Sequence, residues 1–153
     1  MEGICRFKRR QPVILIAEDD DAVRRLLNVV LAKPGRTVLS SVDGPSALEE
    51  AERNGLPIDL LVADVGLPRL NGFDLAQQLR QQFPKMEILY VSGYLESDVI
   101  EQCLADAGAH FLAKPFSPLR LQEMTQDLLN EGRIGISQWR QASMPDSVSV
   151  SAA

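Results

Sequence analysis

The stretch 59-DLLVADVGLPRLNG-72 carries an apolar run that ends on a single acid. The strand-like part, Asp59–Ala63, is nearly continuous in apolar character rather than alternating. That is the mark of a strand covered on both faces, as in a parallel sheet. Asp64 follows at once, and then Gly66, Leu67-Pro68 and Asn71-Gly72 turn the chain toward a new helical pattern. The strand thus carries a carboxylate out of a core and leaves it at the mouth of a turn. Asp64 is either a loop cap or a reactive group, and residues elsewhere in the chain must decide.

Outward from this stretch, strand-length apolar runs recur at Val13–Ala17, Thr37–Ser41, Glu87–Val91 and His110–Ala113. "TVLSS" is the most polar of them and suits a sheet edge. Helical patterns lie between and after the runs. Val23, Leu26, Leu27 and Val30 share one face, and Pro34-Gly35 stops that helix. Pro45 suits a first helical turn, with Ala47, Leu48 and Ala51 on one side and Gly55 past the end. Leu75, Ala76 and Leu79 repeat the pattern before Pro84, as do Ile100, Cys103, Leu104 and Ala107 before Gly108. Ser117-Pro118 reads as a cap followed by proline at the first helical position, with Leu121, Met124 and Leu128 as the buried stripe.

Five alternating strand–helix units with short loops predict an α/β fold: a doubly wound five-stranded parallel sheet with helices on both faces. In the flavodoxin-like order 2-1-3-4-5, all strand C-terminal ends share one edge and a crevice opens between strands 1 and 3. The expected division is an N-terminal extension over 1–11, one domain over 12–131 and a flexible Ser-rich tail over 132–153. Trp139 is the one tail residue suited to docking.

Composition narrows the function classes. The chain has 153 residues, 45% hydrophobic and 24% charged, with a formal net charge of −5. No overall basic field exists to hold nucleic acid, and the run Arg6–Arg10 is too isolated to supply one. No segment approaches the ~20 apolar residues of a membrane span, and no signal-peptide core follows the basic run. The expected compartment is the cytoplasm. Cys5 and Cys103 have no metal spacing, and Cys103 reads as a buried thiol. The single His110 has no triad or zinc signature near it and reads as structural or surface.

The chemistry gathers at the strand ends. Glu18, Asp19, Asp20 and Asp21 follow strand 1, Asp64 follows strand 3, Ser92-Gly93 follows strand 4, and Lys114-Pro115 follows strand 5. In the expected topology the acid cluster faces Asp64, flanked by Ser92 and Lys114. Crowded carboxylates repel, and a hard divalent cation removes the conflict. Mg²⁺ accepts one or two carboxylates plus waters and leaves room for phosphate oxygens. Lys114 offers a compact positive charge and Ser92 a hydroxyl to the same phosphoryl group. Central Asp64 is the natural nucleophile for an aspartyl phosphate.

"ILIAEDDDAVRRLL", "LLVADVGLPRLNGFDL", "ILYVSGY" and "AHFLAKPFSP", in order and at proper spacing, resemble the receiver domain of two-component response regulators, the CheY-like family. The resemblance runs from about Val13 to about Glu131. It implies Asp64 as phosphoacceptor, Asp19 as a direct Mg²⁺ ligand, Glu18 as its partner acid through a metal-bound water, and the Gly66 carbonyl as a further ligand. It implies Ser92 as the switch hydroxyl, Lys114 as the phosphoryl-binding lysine with a cis bond to Pro115, and Phe111 at the aromatic switch position, where the family more often has Tyr. Gly66 is a departure, since it has no side chain to shield or position an attacking water.

The plain readings compete residue by residue. Asp20 and Asp21 suit a helix N-terminus, and capping is preferred for them, with Asp20 a secondary candidate near the metal. Phe111 serves core packing and switching alike. Tyr94 covers the pocket or sits on the surface.

The implied function is a signalling switch rather than an enzyme proper. A sensor histidine kinase or phosphotransfer protein would supply phosphohistidine, and an unknown downstream protein would read the helix 4–strand 5–helix 5 face. The same face is the expected dimer surface if the chain is not a monomer. No nucleic-acid or membrane partner is expected. With no second domain after the receiver, the chain reads as a stand-alone regulator or a receiver excised from a hybrid sensor kinase. Two alternatives stand beside this reading. A Mg²⁺-dependent phosphatase with an aspartyl nucleophile wants a second acid where Gly66 stands. A non-phosphorylated pseudo-receiver would require a broken acid site.

Overall fold

The apolar run Val13–Ala17 forms β1, and each of its residues is buried. It is the second strand of a five-stranded sheet in the order β2-β1-β3-β4-β5. All neighbours are parallel. The computed structural model describes residues 10–93, 98, 101, 102, 105, 106 and 108–131. The other strands are β2 (Thr37–Ser41), β3 (Leu60–Asp64), β4 (Glu87–Ser92) and β5 (Ala109–Ala113). The expected order and the edge position of "TVLSS" are both borne out, and β2 is indeed the least buried strand.

The ends of β3 and β4 differ instructively from the apolar runs. β3 begins and ends one residue later than the apolar run predicts, and β4 includes Ser92. Asp64 pairs in register with Val91, so it stands in the last rung of the ladder rather than beyond it. Its backbone is held by the sheet, which fixes the direction of its side chain.

Because the strands are parallel, alternate residues supply two cores. On one face Leu15, Leu61, Ile88, Tyr90 and Phe111 pack against helices α2 (Gly44–Asn54) and α3 (Gly72–Gln82). On the other Ile14, Ile16, Val62, Leu89 and Leu112 pack against α1 (Asp21–Leu31) and the C-terminal helix (Pro118–Glu131). Of the expected helix before β5, residues 98, 101, 102 and 105 are helical. Ile100, Cys103, Leu104 and Ala107, on which that expectation rested, lie outside the described residues, as do Cys5, Tyr94 and Trp139.

Local chemistry sets the helix ends. Asp20 caps α1, its side chain accepting from the backbone N–H groups of Ala22 and Val23. Asp43 and Ser46 form a reciprocal capping box on α2, which ends at left-handed Gly55. Asn71 caps α3 through the Asp74 N–H. Ser117 accepts from the Arg120 N–H and so begins the C-terminal helix ahead of Pro118.

Gly72 opens α3 at the closest approach in the β3–α3 loop. A Cβ there would lie 2.4 Å from the Asp64 carbonyl oxygen, so no other residue fits without moving the strand end. Leu70 approaches Gly44 equally closely, with a 2.4 Å separation between its Cβ and any added Cβ. The loop is thereby wedged between two helix starts.

At the opposite edge, Arg10 belongs to the basic run and to the expected extension, yet it is tied to the sheet. Its guanidinium donates two hydrogen bonds of 2.9 Å to the Asp59 carboxylate.

Candidate functional site

The parallel sheet brings the ends of β1, β3, β4 and β5 to one edge, and the expected residues arrive there together. Glu18, Asp19 and Asp64 each place a carboxylate oxygen so that the three lie within 4.8 Å of one another. Glu18 is fully buried, Asp64 nearly so, and Asp19 is exposed. Lys114, just past β5, bridges two of them: its Nζ is 2.8 Å from Glu18 Oε1 and 3.3 Å from Asp64 Oδ2.

The sheet explains why Lys114 reaches. Ser92 pairs with Ala113 in the β4–β5 register, and the Lys114 N–H donates to the Ser92 carbonyl at 2.9 Å. The Lys114–Pro115 bond is cis, as the family resemblance implied. Ser92 is wholly buried at the end of β4. Phe111 is buried in the same core layer as Tyr90, with which it pairs in register, so the packing half of its expected double role is observed.

Around Glu18 the main chain is firmly held. Its N–H donates to the Ser41 carbonyl at 3.1 Å, and its Oε2 accepts from the Asp20 N–H at 3.1 Å. Its carbonyl accepts from Arg24 at 3.0 Å. Asp64 Oδ1 accepts from the Gly66 N–H at 3.2 Å, which sets the carboxylate against the loop that follows. The Asp20 side chain is committed to the α1 amides, as the capping reading expects.

The electrostatics follow from burial and crowding. Burial pushes the Glu18 carboxyl above its ordinary value, with the neighbouring Asp64 charge acting in the same direction against the Lys114 and Asp20 hydrogen bonds. Burial alone would lower the Lys114 ammonium, but the Glu18 hydrogen bond and the Asp64 charge outweigh it and hold it above its ordinary value. Asp20 is lowered, chiefly by the Val23 N–H it accepts from.

Three carboxylates, two of them bridged by one lysine, form an all-oxygen donor set of the kind a hard divalent cation takes. The residues therefore fit Mg²⁺.

Two participants were missed in the sequence. Arg24 lies a full turn into α1, and nothing in the spacing of "DDDAVRRLL" shows that it reaches back over the loop. Ser41 ends the edge strand, where its Oγ donates to the Ile16 carbonyl at 2.7 Å while its own carbonyl takes the Glu18 N–H. His110 is buried, with Nε2 3.8 Å from Glu87, far from this edge in the register of β5. That bears out the structural reading of His110.

A family model described as the response regulator receiver domain matches residues 14–126. The response regulator receiver protein CpdR of Brucella abortus is 32% identical, over 77% of this chain and 91% of its own. The sensor kinase CckA of the same organism is 36% identical over 77% of this chain but only 12% of its own length. The transcriptional regulatory protein PhoP of Bacillus subtilis is matched over 50% of its length, so this chain spans a fraction of several of its relatives. Among solved structures, the chemotaxis response regulator CheY4 of Vibrio cholerae superimposes with a TM-score of 0.66 at 26% identity, covering 77% of this chain and 98% of that one.

Proposed function

The chain belongs to the response regulator receiver family, and on that premise we propose that it is a phosphorylation-dependent switch whose phosphoacceptor is Asp64. One observation carries the reading: Asp64, Glu18 and Asp19 converge within 4.8 Å while Lys114 bridges Asp64 and Glu18. A phosphohistidine on a sensor kinase or phosphotransfer protein is the donor. An Asp64 carboxylate oxygen attacks phosphorus, the N–P bond breaks, and the imidazole leaves.

Glu18, Asp19, Asp64 and the Gly66 carbonyl would hold Mg²⁺, which when bound offsets the charge on the phosphoryl oxygens. Lys114 pairs with a second phosphoryl oxygen, and in doing so lets go of the carboxylates it now bridges. The Ser92 hydroxyl donates to a third. Movement of Ser92 frees Phe111 to turn, which remodels the face formed by the segment before β5, by β5 and by the C-terminal helix. That is a two-state equilibrium biased by a local charge.

The switching unit is taken as 12–131, and its setting as the cytoplasm. No helix among the described residues is long and apolar enough to cross a membrane. The test is incubation of the chain with Mg²⁺ and acetyl phosphate, read by intact mass. The wild type gains a phosphoryl increment and Asp64→Ala does not; equal labelling of the two would end the assignment.

A further inference from the structure

We propose that Arg24 is a positioning residue for the cation site, acting through the main chain that carries Glu18 and Asp19. The inference rests on the site reading above. Arg24 Nη1 donates to the Glu18 carbonyl at 3.0 Å, and Nη2 pairs with Asp21 at 2.5 Å. The Arg24 side chain is 21% exposed while that of Asp21 is 76% exposed, so the guanidinium lies against the loop while also pairing with a surface carboxylate.

The Glu18 carbonyl belongs to the peptide unit that joins Glu18 to Asp19. That unit is planar, so holding its oxygen fixes its rotation. On the other side of Glu18 the N–H is anchored on Ser41 of β2. Arg24 and Ser41 together pin the residue from both neighbouring elements, α1 and β2. The Glu18 carboxylate is then aimed at Lys114, and the Asp19 carboxylate is carried to within 4.8 Å of Glu18 and Asp64. Without Arg24 the Glu18–Asp19 peptide loses this side-chain restraint on its carbonyl, and the approach of Asp19 is less firmly set.

Charge and position predict opposite signs. Arg24 is a cation beside a cation site, so deleting it for charge alone would tighten Mg²⁺ binding. Deleting a support for the ligands weakens it, and partners that orient metal ligands typically contribute 10–100-fold in affinity.

The experiment is calorimetric titration of the full chain with MgCl₂, for wild type, Arg24→Met, Arg24→Lys and Asp21→Asn. Arg24→Met weakens binding about 10-fold. Arg24→Lys, which still offers a donor to the Glu18 carbonyl, recovers part of the loss. Asp21→Asn, which spares that hydrogen bond, stays near wild type. In acetyl phosphate labelling, Arg24→Met shifts the half-saturating Mg²⁺ by the same factor and reaches the wild-type maximal rate. Unchanged or tighter binding in Arg24→Met overturns the proposal, as does a fall in maximal rate at unchanged half-saturating Mg²⁺. Asp19→Asn separates the two levels. If it leaves binding unaltered, the site reading itself fails; if it weakens binding and Arg24→Met does not, Arg24 alone is misassigned.

Discussion

Strand β3 has an acid at each end, and the fold treats the two differently. Asp59, just ahead of the strand, receives two hydrogen bonds from Arg10 at 2.9 Å and one from the Val13 N–H at 2.8 Å. Its charge is met by a bidentate partner, the strongest geometry available to a carboxylate. Asp64, in the last rung, shares Lys114 with Glu18 and has Asp19 beside it. One ammonium is shared by two carboxylates there, with the third alongside. The matched pair at one edge holds an N-terminal segment onto the sheet. The unmatched cluster at the other stores a demand for positive charge, which a divalent cation or a redistributed Lys114 can answer.

The largest test of this contrast removes the shared lysine. Lys114→Met lowers the rate of acetyl phosphate labelling about 100-fold, the usual effect of deleting one preorganised partner of developing charge. Mg²⁺ binding survives the change, because the carboxylates that would hold the ion remain. Calorimetry and labelling on the same sample check both halves.

The next test uses pH. Burial raises Glu18, so the folded protein holds a proton there at pH values where an exposed glutamate has lost it. The stability this group contributes is present at low pH and is lost as pH rises through the raised value. Mg²⁺ must displace that proton, so its affinity climbs with pH through the same range and then levels off. Glu18→Gln flattens this dependence. Lys114 is raised as well, so its contribution persists up to and beyond its ordinary range and is lost only in more alkaline solution.

Two smaller effects concern stability. Gly72→Ala forces a Cβ against the Asp64 carbonyl and destabilises by about 2 kcal/mol, read as a lower urea midpoint. Because the pressure falls on the phosphoacceptor's own backbone, labelling slows in the same variant. Arg10→Ala loses a half-exposed pair and destabilises by about 1 kcal/mol, with labelling unchanged. A labelling defect in Arg10→Ala would blur the division between the two edges.

The sequence made the sheet legible because buried parallel strands leave continuous apolar runs, and these runs end within one residue of the observed strands. Alternation and handedness point to a doubly wound parallel sheet, and the flavodoxin-like order 2-1-3-4-5 taken for it is the one observed. The acid–lysine gathering was legible for the same reason: once strands are parallel, their C-terminal ends share an edge. What pattern could not show were contacts made by long side chains across elements. Arg24 looks like one more charged residue on an amphipathic helix, and Arg10 like the end of a basic run. Their partners, a backbone carbonyl and a carboxylate far along the chain, exist only in three dimensions. Gly72 was read as part of a turn, whereas its bare Cα is needed for the contact with Asp64.

The most direct measurement compares the two acids of β3 in one experiment. Wild type, Asp59→Asn and Asp64→Asn are incubated with Mg²⁺ and acetyl phosphate, and the modified peptide is mapped by mass spectrometry. Asp59→Asn carries one phosphoryl group on Asp64, as the wild type does, and Asp64→Asn carries none. A label mapped to any other residue in the wild type, or retained in Asp64→Asn, would contradict the assignment of Asp64 as the phosphoacceptor.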